Sequence, residues 1–460
     1  MKGHSKIELT DVNTGAVQTF ENDNMVTNAL KYFLADYCIS HNCLTDSNVK
    51  NKNAWKTLLG GIMLFDTELA EDVDNVLPKA GIKMVGNGCY GVSNNGNVTE
   101  LGSFNTTESG IQADGSVKLV YDFSTAQANG TIKSCALTSA AGGCIGIGNG
   151  TSGYRFTSAP TGCDGLELFT TYNGSNLGLR YPDGTDKSSL ELVYVDSKNN
   201  FLLWQDKDGY SPKTNGTIVF KKYGVNLSKL NVKYSNTLSD NLLEEYTVTV
   251  PDDLKTYLNS AKYYESYPIT CGKNYYRVYA TSNSLNTNGE FYILKIDENM
   301  QPTLTKMYNK TGYPIVPKNA YAVIDDEWLI LPTTSETYRH YAVKISDSTI
   351  VKYLGSWTPS GDASSTRYND VLLTTNLDVT RYVDIKNNTS YWTSDLTYSS
   401  HKYSQCIGNP LLFHDTISGA GSSLYFRKYC GYLATINNLS TPVTKTASQT
   451  MKVTYTLTFD

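Results

Sequence analysis

Charge is scarce in this chain. Only 18% of its 460 residues are Asp, Glu, Lys or Arg, against about a quarter in an ordinary soluble domain. The net charge is −5 and no basic block occurs, which argues against a nucleic-acid surface. No run of about 18 apolar residues exists, so no membrane-spanning helix is expected. The start, Met1-Lys-Gly-His-Ser-Lys-Ile-Glu-Leu9, lacks the apolar core of a signal peptide, so synthesis in the cytoplasm and release by lysis are expected. Histidine is rare, with five residues, and the nine cysteines are odd in number and scattered without a Cys-x-x-Cys pair. That excludes a recognisable zinc site and gives no disulfide framework; buried free thiols are expected. No Ser/His/Asp or Cys/His arrangement can be argued, and no cofactor is expected.

What is abundant points to strands. Tyr reaches 35 residues, and Asn, Ser, Thr and Gly fill much of the remainder. Aromatic and β-branched residues with polar turn formers favour a mainly β fold. The second half carries a loose repeat of strand, polar loop and strand at roughly 40–50 residues. The second strands stack: Thr217-Ile-Val-Phe-Lys-Lys-Tyr223, Phe291-Tyr-Ile-Leu-Lys-Ile-Asp297, His340-Tyr-Ala-Val-Lys-Ile-Ser346, Arg381-Tyr-Val-Asp-Ile-Lys-Asn387 and Ser423-Leu-Tyr-Phe-Arg-Lys-Tyr429. Such a period is what the blades of a β-propeller leave in sequence, and about five to seven blades are expected. The gap from 217 to 291 is about twice too long and holds Tyr246-Thr-Val-Thr-Val250, which points to an atypical blade or an excursion.

The ends have another texture. Residues 6–20 read as a hairpin turning at Asn13-Thr-Gly15. Met25, Val26, Leu30, Phe33, Leu34 and Tyr37 share one face at helical spacing, which predicts a helix over 25–37 capped by Asn22, Asp23 or Asn24. Leu58-Leu-Gly-Gly-Ile-Met-Leu-Phe65 and Val117-Lys-Leu-Val-Tyr-Asp-Phe123 read as strands. The Gly-rich run 141–150 has no helix after Gly146-Ile-Gly148, so a turn with close strand packing is expected and a dinucleotide site is not. Met451, Val453, Tyr455, Leu457 and Phe459 alternate with Lys452 and three threonines, a half-buried strand. Residues 431–460 are therefore expected to complete an anchoring and assembly β domain over 1–165. The propeller, 166–430, is then an insertion within it.

The opening Ile7-Glu-Leu-Thr-Asp-Val-Asn-Thr-Gly15 and Glu21-Asn-Asp-Asn-Met-Val-Thr-Asn-Ala-Leu30 resemble structural proteins of tailed phages and prophages of gut Firmicutes. Tyr121-Asp-Phe-Ser-Thr-Ala-Gln-Ala-Asn-Gly-Thr-Ile132 and the ending Tyr432-Leu-Ala-Thr-Ile-Asn-Asn-Leu439, Val443-Thr-Lys-Thr-Ala447 and Thr450-Met-Lys-Val-Thr-Tyr-Thr-Leu457 resemble the same group. The resemblance covers about the first 150 residues and the last 30, not the middle. It implies a tail, baseplate or fibre component, made in the host cytoplasm, with other virion proteins as partners, and it assigns no catalytic residues.

Candidate sites are few. Asp325-Asp-Glu327 has the acids for glycoside hydrolysis, but neighbours on a strand face opposite ways and a turn explains them better. Asp206-Lys-Asp-Gly209 lacks the full calcium-loop pattern and reads as a hairpin turn. Most tyrosines alternate within strands and should fill blades. Tyr210, Tyr338, Trp357 and Tyr368 fall in loops, with Arg367 beside the last. Such exposed aromatics next to Asn, Asp and Arg suit stacking on sugar rings. These five residues are the expected ligand-binding set, most of them on the long polar stretch 355–368. The expected function is non-enzymatic attachment of a virion to a bacterial surface glycan or receptor, by a homo-oligomer with a trimer favoured. Alternatives are a propeller glycosidase or depolymerase, and a purely structural collar or baseplate subunit.

Overall fold

A computed structural model of the chain describes residues 2–32, 58–78, 82–90, 99–145, 169–172, 190–212, 214–224, 242–260, 262–334, 339–356, 365–368, 371–376, 379–385, 389–394, 403–408, 412–415, 425–429 and 432–458. The fold is mainly β. Two compact units form: Met1–Thr170 with Tyr391–Leu396 and Lys428–Asp460, and Thr171–Ser390 with Thr397–Arg427.

The first unit is a closed barrel. Its strands are β1 (Lys2–Asp11), β2 (Val17–Val26), β3 (Gly61–Phe65), β4 (Met84–Cys89), β5 (Leu101–Phe104), β6 (Gly110–Ile111), β7 (Val117–Phe123) and β8 (Gly130–Thr138). The chain leaves here and returns for the last two, β30 (Thr435–Lys445) and β31 (Gln449–Thr458). The order is β31-β1-β2-β30-β8-β3-β4-β5-β7, and β31 also pairs with β7, which closes the ring; β6 extends β7. Closure leaves no free edge among these nine strands.

Alternation decides which side chains point inward. On β31, Met451, Val453, Tyr455 and Leu457 are buried while their neighbours are partly exposed. Their register partners on β1 are Leu9, Ile7, Ser5 and Gly3. Their partners on β7 are Phe123, Tyr121, Leu119 and Val117. Small residues on β1 thus lie opposite the large Tyr455 and Leu457, which lets the core interdigitate. The β1–β2 turn is fixed by Asp11, whose Oδ1 accepts from the amides of Asn13 and Thr14 and from the Thr14 hydroxyl.

Two expectations need correction. Met25 and Val26 belong to β2, paired with Ile436 and Thr435 of β30, and Asn22, Asp23 and Asn24 are ladder residues opposite β1. Helical residues begin only at 28, after Thr27, whose Oγ1 accepts from the Ala29 amide at 3.2 Å. Pairing with β30, at the end of a strand already paired to β1, outcompetes the helical spacing of Met25 and Val26. Phe33, Leu34 and Tyr37 lie outside the described residues. The Gly-rich run opens with a short helix, α1 (Ala140–Ile145), rather than a turn alone. Close packing does explain its glycine: a Cβ on Gly143 would sit 2.3 Å from the Gly88 carbonyl oxygen and 2.4 Å from Gly61 Cα.

The second unit is a β-propeller. The first sheet comprises β10 (Leu190–Asp196), β11 (Phe201–Ser211), β12 (Thr217–Gly224) and β13 (Leu242–Thr249), followed by helix α2 (Asp252–Ser260). The second is β14 (Tyr264–Glu265) and β15 (Ile269–Cys271), both paired with β16 (Asn274–Ala280), then β17 (Glu290–Ile296) and β18 (Pro302–Tyr308). The third runs β19 (Ala322–Ile324), β20 (Trp328–Pro332), β21 (Arg339–Lys344) and β22 (Asp347–Ser356). The fourth is β23 (Ser365–Tyr368), β24 (Val371–Asn376), β25 (Val379–Asp384) and β26 (Thr389–Ser394). The fifth joins β27 (Tyr403–Ile407), β28 (Leu412–Asp415) and β29 (Tyr425–Tyr429) to β9 (Phe169–Tyr172), a strand that precedes the first sheet in the chain.

The five sheets follow one another round a ring. One apolar cluster joins the first and second through Val193, Phe220, Tyr275 and Leu294. Another joins the second and third through Val278, Phe291, Leu329 and Val343. Ile385 packs with Trp328 and Ile330 of the third, and β23 neighbours β27. The ring closes where β27 runs parallel to β10, Tyr194 opposite Gln405. Every stacked repeat strand is the third strand of its sheet: β12, β17, β21, β25 and β29. The overlong gap holds β13, α2 and the first strands of the second sheet.

Candidate functional site

Among the described residues of the propeller, a tyrosine platform lies on the second and third sheets. Its base is the β21–β22 ladder, where Arg339 lies opposite Ser356, His340 opposite Gly355, and Tyr341 opposite Tyr353. Alternation puts Arg339 and Tyr341 on one face and His340 on the other. His340 is fully buried there, its Nδ1 2.9 Å from the Tyr321 hydroxyl. The Tyr341 and Tyr353 rings are 5.5 Å apart and tilted. Tyr313 adds a third ring 6.4 Å from Tyr341 and nearly parallel to it.

Tyr313 comes from the connection after β18, and that connection is held from beneath. Buried Asn309 donates through Nδ2 to the carbonyls of Leu285 and Tyr313, at 2.9 and 2.8 Å. The Thr311 hydroxyl also lies 2.9 Å from the Tyr313 carbonyl oxygen. Gly312 takes the left-handed φ of +79° that the turn requires. Ile315 then bridges to Leu285 and Thr333. Main-chain anchors thus fix the segment that carries the ring.

The Arg339 guanidinium sits 4.1 Å above the Tyr313 ring centroid, within cation–π range. Bonding to the Tyr313 and Tyr341 hydroxyls raises the arginine further above its ordinary value. Burial pushes the Tyr341 hydroxyl up, with Arg339 opposing it. No carboxylate forms an ion pair with Arg339 among the described residues. Tyr313 is 39% and Tyr353 46% exposed, whereas Tyr341 is 7% exposed. The Tyr353 hydroxyl pairs with Ser356 Oγ at 2.8 Å. Tyr308, at the end of β18, is also exposed, with Lys306 and Lys310 about its ring.

A polar cleft of about 400 Å³ opens at the hairpin ends of the same two sheets, lined by Cys271, Lys273, Asn274, Glu298, Asp325 and Asp326. Asp325 and Asp326 form a left-handed turn, both with φ of 56°. The Asp326 carboxylate accepts from the Tyr276 hydroxyl at 2.6 Å and from Asn274 Nδ2 at 2.8 Å. Burial would raise its pKa, but these bonds and Lys295 outweigh burial and hold it below the usual range. Such a carboxylate stays ionised, the opposite of what a general acid needs. Glu327 is turned away to Lys344 at 2.8 Å. The acidic run is a structural turn.

Of the expected ligand residues, Tyr338 and Trp357 lie outside the described residues. Each adjoins one half of the Arg339–Ser356 pair in sequence. Tyr210 is not in a loop: it belongs to β11, which continues to Ser211. Arg367 and Tyr368 are likewise in a strand, β23, opposite Leu372 and Val371. They flank the turn into β24, so strand polarity sets them at the other end of the blades from Tyr313 and Arg339. Asp206 is no turn residue either; it lies within β11, 2.6 Å from Lys221. No cluster suited to a metal ion exists among the described residues. Tyr341 lay inside the repeat strand His340–Ser346, and nothing in the sequence brought Arg339 or Tyr353 to it. The register shift between His340 and Tyr341, which leaves Leu354 without a partner, brings them together, and spacing does not reveal a bulge.

No family model matches the sequence, and no curated protein does either. Among solved structures, the chain is similar to YCF48 bound to D1 peptide, at 8% identity over 56% of this chain and 80% of that one, TM-score 0.27. It is similar to BamB from Moraxella catarrhalis at 7% identity over 57% and 100%, TM-score 0.24. A fungal lectin, the six-bladed propeller of Aleuria aurantia, matches at 10% identity over 69% and 92%, TM-score 0.24. Likeness this distant carries no functional argument. Among the described residues no helix is long and apolar enough to cross a membrane.

Proposed function

We propose that this chain is a structural protein of a tailed-phage virion, in the tail, baseplate or fibre, that attaches without catalysis to a glycan on the bacterial surface. The observation that carries the reading is the platform of the exposed Tyr313 and Tyr353, packed about the buried Tyr341 ring, with Arg339. Flat aromatic faces stack on the C–H faces of sugar rings, and the hydroxyls of Tyr353 and Ser356 supply directional bonds. The barrel is assembled from both chain ends, whose sequences carry the phage resemblance, and serves as the virion anchor. Copies act together, most simply as a trimer, because linked weak sites gain avidity by about 10²–10⁴.

The test is adsorption. Full-length protein should bind intact cells of a panel of gut Firmicutes, and periodate treatment of the cells should abolish binding. The double variant Tyr313→Ala, Tyr353→Ala should lose adsorption while light scattering reports the same assembly. Adsorption unaffected by the double variant would refute the site, and release of reducing sugar from the cells would refute the non-catalytic reading.

A further inference from the structure

We infer that the platform takes an anionic saccharide, one whose sugars carry a carboxylate or phosphate group; this rests on the glycan-attachment reading above. The ground is Arg339. The buried Arg277 of the same unit lies within 4.0 Å of two carboxylates, Glu191 and Glu265. Arg339 instead lies on the Tyr313 ring, and none of the described carboxylates pairs with it. The ring face holds the guanidinium in cation–π contact and supplies no formal counter-charge. A planar fork lying on a ring, with no described carboxylate on it, is suited to a planar carboxylate or a phosphate, which it can bind through two parallel bonds.

The surroundings carry the same sign. Lys310 lies at the same end of the second sheet, its Nζ bonded to the Asn288 side-chain oxygen at 2.7 Å, and 6.0 Å from the Tyr308 ring centroid. Thus the strand ends that bear the exposed rings of Tyr308, Tyr313 and Tyr353 also bear two cations not paired with a described carboxylate. The chain as a whole is acidic, at −5. A neutral sugar would gain from the rings alone and would leave Arg339 as it is. An acidic sugar uses both, with the ring face on tyrosine and the acid group on the guanidinium.

Calorimetric titration of the full-length protein with defined oligosaccharides tests this. The probes are hexagalacturonate, its methyl ester as the neutral match, and a phosphate-linked hexose oligomer to separate the two acid sources. At low salt the charged oligomers should bind at least about tenfold tighter than the ester, and added salt should erase the difference. Arg339→Gln should abolish the preference, bringing the charged oligomers to the ester's affinity for that variant. Arg339→Lys, which retains charge without the fork, should restore only part of it and guards against a folding defect in the first variant. Tyr353→Ala should weaken all probes alike. Equal affinity for acid and ester, or a preference that survives Arg339→Gln, would overturn the inference while leaving the glycan reading standing. Binding of no saccharide by a protein that adsorbs to untreated and periodate-treated cells alike would overturn both.

Discussion

Lys445 offers a measurable consequence of how the barrel closes. It ends β30, opposite Gly130 of β8, and is 1% exposed. Its Nζ donates to Asn129 Oδ1 at 2.8 Å, and the Thr125 carbonyl oxygen lies at 3.4 Å. No carboxylate pairs with it among the described residues. Burial therefore lowers its pKa from 10.5 to about 8. At about 1.4 kcal/mol per pH unit, that drop amounts to about 3 kcal/mol against folding at pH 7. The sign follows from proton binding. Between pH 8 and 10.5 the unfolded chain holds the proton and the folded chain does not, so rising pH relieves the penalty. Below pH 8 the penalty is present in full.

Replacing the amine with an apolar chain should remove the penalty. Lys445→Met also gives up the bond to Asn129, worth about 1 kcal/mol, though the exposed Asn129 amide can turn to water. The variant should therefore be more stable than the parent by about 2 kcal/mol at pH 7, and the gain should shrink below about 1 kcal/mol by pH 10. Urea titrations at several pH values, read by pulsed hydrogen exchange on peptides from β7, β8 and β31, isolate the barrel from the propeller. A Lys445→Met barrel that is weaker than the parent at pH 7, or whose advantage does not change with pH, would refute the assignment of a charged buried amine.

Other consequences follow from the same geometry. Ending the chain at 448 removes the buried Met451, Val453, Tyr455 and Leu457, each worth about 1.5–3 kcal/mol, and reopens the ring between β1 and β7. Exchange protection of the first 138 residues should collapse, while the propeller peptides keep theirs. Gly143→Ala would drive a methyl into the backbone of Gly88 and Gly61; a loss of at least about 2 kcal/mol in barrel stability is expected, and an unchanged urea midpoint would contradict the packing. A fragment spanning 165–431 should be soluble and β-rich by circular dichroism, because the sheets cover one another's faces around a closed ring. Asp326→Ala leaves the buried Tyr276 hydroxyl without its carboxylate, costing about 1–3 kcal/mol. In the parent, this contribution is present above pH 3.8 and is lost as acid protonates Asp326 through its lowered folded pKa, so the two proteins should converge in stability at low pH.

The architecture was legible wherever one physical signal acted alone. The alternation from Met451 to Leu457 needed no competing explanation, and those side chains are the buried ones. The five repeat strands were legible because the third strand of a blade has neighbours on both sides. Its composition is then set by burial and by pairing together, and it varies least from blade to blade. Outer strands such as β13 and β18 face solvent along one edge and carry no such constraint. The helix placed over 25–37 failed at its first turn for a related reason. Met25 and Val26 suit a helix face and a strand equally, and the partners that decide, Ile436 and Thr435, lie some 400 residues away.

The proposed binding surface uses the residue type that the sequence suggested, at other positions. Tyrosine abundance pointed to aromatic contact, yet the expected residues were chosen for lying in apparent loops. Tyr210 and Tyr368 turned out to sit in strands, while Tyr353 is a strand residue left exposed at a ladder's end. What makes Tyr313, Tyr341 and Tyr353 a surface is the convergence of three chain segments. Asn309 fixes one of them from below, and the bulge at Leu354 shifts another. None of those determinants is periodic. A closed ring separates the two tasks: repetition sets the sheets, and irregular connections at the strand ends set what they present. A tyrosine within the repeat is therefore a candidate for recognition only where a bulge or a strand end lifts it out of the blade. That condition picks Tyr353 over the fully buried Tyr276 and Tyr279 of β16.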